Sequence, residues 1–319
     1  MPYWRELPLQ GNLLLSGGVL ASATKTLREG KASFPSFVKM DVQHLYEAFI
    51  LRMFYTGGIT LDTETTREGK TRRLFHITPP VMPELRVAED LTDRWKGGAG
   101  LLTDGRYKAV KKQFQGLLRD EGLLYELHSL LYKAAGDDRL LQPDELRTYV
   151  KAHLEQCRPL ADALYLFTMG YAEMCMSDGS EVREVLGFLH YLKDFSLVGE
   201  RYLEEAKLWK EYLVFASFYG IADQVRKDMK RVAPDTVELD KLLPPHLAED
   251  FKPMATAIAS SFVAARAYET AEERARRRTY TSSSSSYSSR SYSSSSGGYG
   301  HSSRSGGGGH SGGGGSGFR

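Results

Sequence analysis

The sequence predicts an α+β protein, mainly α-helical, that ends in a disordered Ser/Gly tail. Three observations carry this. Apolar residues recur at helical spacing in several segments between residues 41 and 278. One stretch, ITLDTE and then TRRLFHI, alternates in the manner of a β-hairpin. Residues 282–319 hold 17 Ser and 12 Gly among 38, a composition that buries too little apolar surface to offset chain entropy.

Residues 41–56, DVQHLYEAFILRMFYT, read as an amphipathic helix with Leu45, Phe49 and Met53 on its apolar stripe and Asp41 as N-cap. Gly57 and Gly58 stop it. The hairpin follows directly, turning around Glu68 and Gly69, and Pro79, Pro80 and Pro83 close the unit. A helix running into a two-stranded wing matches the second half of a winged helix. Residues 92–105, TDRWKGGAGLLTDG, are a glycine-rich connector. A second helical block runs from Tyr107 through LLYELHSLLYKAAG. After Gly136, Leu140 and Leu141 form a short strand, and Pro143 opens the next helix with Asp144 and Glu145 at its positive end. Helix, short strand, helix is again winged-helix-like, so two related small units are expected.

From about residue 159 to 230 the pattern is helical throughout. Val182, Val185, Leu189 and Leu192 share one face of GSEVREVLGFLHYLKDFS. The stretch WKEYLVFASFYGIADQVRKDM, residues 209–229, reads as one helix buried nearly all round, because Leu208, Tyr212, Phe215, Tyr219 and Ala222 make one apolar face and Trp209, Leu213, Ala216 and Gly220 another. Ala216 and Gly220 leave room for a second helix at close range. Its uncharged run, Tyr212 to Ala222, is too short for a membrane span, which needs about 20 apolar residues. Four prolines lie within residues 234–253, and PMATAIASSFVAARAYETAEERARRR makes a last amphipathic helix. The resulting organisation is a helix plus hairpin unit over 1–91, a second helical unit over 92–158, a helical domain over 159–278 and the tail over 279–319.

Charge and chemistry exclude several classes. Of 42 basic residues three, Arg290, Arg304 and Arg319, lie beyond residue 278, which leaves 39 against 40 acidic ones in the body. The body is not a globally basic, polyanion-binding surface. Two cysteines, Cys157 and Cys175, are too few for a disulfide framework and fit a reduced, cytoplasmic setting. Residues 7–24, LPLQGNLLLSGGVLASAT, lack charge but carry Pro, Gln, Asn, Gly and Ser, which suits neither a span nor an export signal. No GxxxxGK[ST], GxSxG, HExxH or CxxC occurs. Gly98, Ala99 and Gly100 begin a phosphate-loop pattern that fails at Thr103. The eight histidines show no metal-ligand spacing. No enzyme, cofactor, metal or catalytic residue is expected.

Two features remain as binding candidates. The hairpin turn TTREGKTRR presents Arg67, Lys70, Arg72 and Arg73 against Glu68, a basic wing suited to an anionic lipid surface or a nucleic-acid backbone. A solvated turn has the same composition. The helix before it offers no base-reading Arg, Asn or Gln face. The second feature is EERARRR followed by a tail in which Tyr280, Tyr287, Tyr292 and Tyr299 alternate with arginine, a pattern tolerant of RNA.

The segment GFLHYLKDFSLVGERYLEEAKLWKEYLVFASFYGIADQV, residues 187–225, resembles the C-terminal cytoplasmic region of the YciQ-like predicted membrane proteins, a bacterial family of unknown function. The matching positions are Phe188, Tyr191, Leu192, Asp194, Phe195, Ser196, Leu208, Trp209, Tyr212, Leu213, Gly220, Ile221, Ala222, Asp223 and Val225. YWRELP at residues 3–8 is similar to the juncture that follows a membrane segment in such proteins, and the Ser-rich, Gly-rich ending is also typical. The resemblance carries no active site. It implies a non-catalytic interaction or scaffolding module of the cytoplasm, at the inner face of a membrane, with no transmembrane segment of its own. Expected partners are a protein, a membrane-embedded one included, and a membrane surface touched peripherally. The alternative, ranked below, is a regulator contacting nucleic acid through the basic wing and tail.

Overall fold

A computed structural model describes residues 4–20, 42–65, 71–81, 104–114, 120–166, 179–194, 208–232, 247–271 and 273–275. It is mostly helical with a small three-stranded antiparallel sheet, the α+β, mainly α class that the sequence predicts. Asp41, the Glu68–Gly69 turn, the 92–103 part of the connector, Cys175 and the tail lie outside the described residues. The chain divides into two units, Met1–Tyr268 and Glu269–Arg319.

The first unit opens with a tight turn, Pro8–Gly11, in which Leu9, Gln10 and Gly11 all take positive φ, at 51°, 57° and 84°. Non-glycine residues pay for that conformation, and two fixed partners offset the cost. The Leu9 amide donates to Glu184 at 3.1 Å, and Arg52 donates to the Gly11 carbonyl at 3.1 Å. Asn12 then caps a helix over residues 13–20, its side-chain oxygen accepting from the Leu15 amide at 2.8 Å. This is α1. Leu13, Leu14 and Val19 are fully buried, so the described part of the uncharged stretch, residues 7–20, supplies core.

Helix α2 (Val42–Tyr55) ends in a Schellman cap. Gly57, at φ 79°, is the left-handed residue, Gly57 donates to Phe54 and Gly58 donates to Met53 at 2.8 Å. Strands β1 (Ile59–Thr65) and β2 (Thr71–Ile77) pair antiparallel, Ile59 opposite Ile77 and Leu61 opposite Phe75. These pairs stack apolar side chains on the core face, while Asp62 is exposed. Helices α3 (Asp104–Phe114) and α4 (Asp120–Ala135) precede β3 (Leu140–Leu141), which pairs with β2, Leu141 opposite Phe75. The short strand read in the second helix-strand-helix unit therefore completes the sheet begun by the first hairpin.

Helix α5 (Pro143–Ala152) starts as the sequence indicates, with Pro143 in the first turn and a reciprocal capping box between Gln142 and Glu145. Helices α6 (Leu154–Tyr165), α7 (Gly179–Lys193), α8 (Trp209–Phe218), α9 (Ala222–Val232) and α10 (Leu247–Ala267) follow. Helix α10 packs on α2, α5 and α6, and α2 packs also on α8. Edge-to-face contacts mark these seams: Tyr46 with Phe262 at 5.8 Å and Phe54 with Phe251 at 5.7 Å.

Two expectations about helix boundaries are corrected. Residues 209–229 are not one helix, because the chain breaks after Phe218 in a second Schellman cap. Gly220 stands at φ 71°, donating to Ser217, and Ile221 donates to Ala216 at 2.8 Å. The expected burial holds for Trp209 and for Tyr212 to Tyr219, whereas Leu208 and Gly220 are exposed and Ala222 is half-buried. The last helix begins at Leu247, upstream of the prolyl start expected at Pro253, and ends at Ala267 rather than running to Arg278. Pro253 removes one intrahelical donor, and burial of Phe251, Met254 and Ile258 on either side of it compensates. In the second unit Thr270 and Glu273 form their own capping box, at 2.8 and 3.2 Å.

Candidate interaction surfaces

The basic wing is only partly described. Arg67 and Lys70 lie outside the described residues, and Arg72 and Arg73 are placed as strand positions opposite Glu64 and Thr63. The helix that precedes the wing is more informative. No residue of α2 is exposed, since it is enclosed between α8 and α10. In a winged helix that reads DNA the preceding helix enters the major groove. Here that face serves the core.

A cleft of about 440 Å³ opens beside the N-terminal turn, walled by Gln10, Arg52, Thr56, Tyr125, His128 and Glu211. Its floor is an ion pair, Arg52 to Glu211 at 2.8 Å, whose arginine also holds the Gly11 carbonyl. Tyr212 adds a long contact to the Arg5 carbonyl at 3.4 Å. The N-terminal segment is thus fastened at Leu9 to Glu184 of α7, and at Arg5 and Gly11 to α8 and its partner Arg52. His128 Nε2 donates to the Thr78 carbonyl, 2.9 Å away, and burial holds its imidazole below the usual histidine range against the pull of that bond and of Gly58.

A buried charge cluster joins three helices. Asp162 on α6 is nearly inaccessible and accepts two bonds from Arg106 of α3, one of them at 2.9 Å, while Arg266 of α10 stands 3.4 Å away. The Arg266 guanidinium lies 3.3 Å over the Tyr165 ring. Arg106 and Arg158 also donate to the Arg266 and Tyr268 carbonyls at 3.1 Å, where helix α10 ends. Two cations on one carboxylate are balanced by these carbonyls and the negative helix end, which makes the cluster a joint of the fold. The sequence signal for it was Asp162 itself, an acid inside the apolar run ADALYLF. Burial pushes the Cys157 thiol up to about 11, against a lowering by Lys133, and so keeps it in the unreactive protonated form.

Helix α9 presents the clearest charged face. Val225 and Met229 are fully buried, and beyond Asp223 and Gln224 every exposed residue, Lys227, Lys230 and Arg231, is basic. Asp228 turns to the inner shoulder, 14% exposed, and pairs with Arg231 at 3.2 Å.

Among the described residues no helix is long and apolar enough to cross a membrane, and no group of three His, Cys, Asp or Glu is placed to hold a metal ion. The fold is therefore that of a mainly helical α+β protein whose described surface offers clefts and basic faces. A family model described as predicted membrane protein (DUF2207) C-terminal domain matches residues 163–229, a segment that includes α7, α8 and most of α9. No curated protein and no solved structure matches the chain.

Proposed function

We propose that the chain is a non-catalytic interaction module working at the cytoplasmic face of a membrane, resembling the cytosolic part of a YciQ-like protein. The observation that carries this reading is the match of residues 163–229 to the C-terminal domain of a predicted membrane protein family. Further support comes from the fastening of the N-terminal segment onto that same region through Glu184, Glu211 and Tyr212. A protein partner embedded in the membrane, or the membrane surface, would be met by the basic faces, the wing residues Arg67, Lys70, Arg72 and Arg73 among them. Cell fractionation tests the reading. The full chain at native expression should sediment with membranes, resist a low-salt wash and be released by high salt or alkaline carbonate. Recovery wholly in the soluble fraction, with and without prior cross-linking, would overturn it.

A further inference from the structure

We infer that the outer edge of β1 is a docking strand for an extended protein segment that places a Lys or Arg beside Asp62. The inference rests on the interaction-module reading above and gives it a surface. The phase of the sheet sets which backbone groups are on offer. Thr78 donates to the Gly58 carbonyl at 3.0 Å and Ile59 stands opposite Ile77, so Gly58, Thr60, Asp62 and Glu64 turn their backbone groups toward β2. Leu61, Thr63 and Thr65 therefore point N–H and C=O away from the sheet. Ile77 agrees with this phase, turning its amide from β1 to the Arg139 carbonyl at 2.8 Å. Among the described residues nothing takes up the outward groups of Leu61, Thr63 and Thr65. The main contacts of β1 are with β2 and α2, and the sheet order leaves it at the edge. A strand laid there gains a ladder of main-chain hydrogen bonds.

The side chains select the occupant. Asp62 is exposed and pairs with no cation among the described residues. A second copy of this chain fits badly, because antiparallel self-pairing over the whole of β1 sets Asp62 against its own counterpart, and like charges directly opposite destabilise a ladder. A Lys or Arg at that position replaces the conflict with an ion pair. Arg72 and Arg73 lie opposite Glu64 and Thr63, nearer the turn, so the partner's cation belongs at the base of the hairpin and not further along. On the other face Leu61, half-buried and opposite Phe75, offers apolar surface to the neighbouring residue of the added strand. The partner is thus a short extended segment, rich in β-branched residues, with one cation at its centre.

The test uses the full chain and a short capped peptide of alternating Thr and Val with Lys at its centre, against the same peptide with Glu there. Hydrogen exchange at the Leu61, Thr63 and Thr65 amides should slow when the Lys peptide is added. Titration should show that peptide binding about threefold or more tighter than the Glu peptide, and Asp62→Lys should reverse the order. Thr63→Pro removes an outward donor and spares the bonds between β1 and β2, so it should abolish binding while the melting temperature stays near that of wild type. If that variant unfolds, Asp62→Lys, an exposed change, decides alone. Absence of protection on β1 by either peptide, in wild type and in Asp62→Lys, overturns the docking strand, as does undiminished binding by a folded Thr63→Pro. Equal affinity for the two peptides overturns the cation. Protection of β1 that grows with protein concentration alone, together with a dimer in sedimentation, hands the edge to a second copy and overturns the peptide partner. Cell fractionation reads none of these contacts, so the edge and the membrane-face reading fail separately.

Discussion

Two helix ends in this protein are built alike and secured differently. Helices α2 and α8 both finish in Schellman caps, with left-handed glycines at Gly57 and Gly220, and in both a histidine ring lies against a glycine of the cap. At the end of α8 the ring is His44 of α2, so close that a Cβ on Gly220 would stand 2.5 Å from its Cε1. The buried His44 Nδ1 has no hydrogen-bond partner among the described residues. At the end of α2 the ring is His128 of α4, 2.8 Å from where a Gly58 Cβ would be, and it is bonded to the Thr78 carbonyl. The first contact is held by shape alone and the second by shape and a hydrogen bond. In the first cap one glycine answers two demands, left-handed φ and close approach. In the second the demands are divided between Gly57 and Gly58.

That division sets the largest expected effect. Gly220→Leu places a side chain in left-handed backbone, at about 1–2 kcal/mol, and overpacks the His44 contact, at about 1–3 kcal/mol. Chemical denaturation should show the two losses together. Adding His44→Ala should recover the steric part and leave the backbone part. If the double variant is no more stable than Gly220→Leu alone, the ring is not what the glycine accommodates.

At the other cap the same two costs should come apart. Gly57→Ala meets open space within 4 Å, so its cost is the left-handed backbone alone, about 1–2 kcal/mol. Gly58→Ala carries no left-handed strain but strikes the His128 ring, at about 1–3 kcal/mol. The first loss should persist in a His128→Ala background and the second should shrink. Equal behaviour of the two glycines in that background would erase the contrast between the caps.

The caps also show how far sequence reading reaches. The stop at Gly57–Gly58 was legible because two glycines there end the apolar period. The stop at Gly220 was not, because apolar spacing runs from Leu208 through Ala222 across the break, and a single glycine in a buried helix is also what close helix packing requires. Gly220 does approach α2, through His44, but as a cap residue. Local signals placed β3 and the start of α5, since Leu140–Leu141 and Pro143 with Asp144 and Glu145 are neighbours in the chain. The pairing of β3 with β2 and the meeting of Arg106, Asp162 and Arg266 depend on contacts more than fifty residues apart, which no local pattern encodes. Among binding candidates the wing drew notice because its cations crowd one turn. The cations of α9 did not, because they alternate with Asp223 and Asp228 in sequence.

The smallest effect tests the histidine of the second cap by pH. Burial holds the His128 imidazole below its ordinary value of 6.5, the bonds to the Thr78 and Gly58 carbonyls opposing that shift. The unfolded chain therefore takes up the proton first as pH falls. The contribution of His128 to stability is fully present above about 6.5 and declines as pH drops from there toward the lower folded value. His128→Gln has no such group and should show a flatter dependence, with its stability deficit against wild type narrowing from pH 7.5 to pH 5.5 by a fraction of the about 1.4 kcal/mol that one full pKa unit would bring. Denaturation midpoints at both pH values, measured for wild type and variant, give the difference directly. A deficit that stays constant or widens on acidification would mean that the ring gains its proton without cost in the folded protein, the carbonyl bonds at the second cap then matching or outweighing burial.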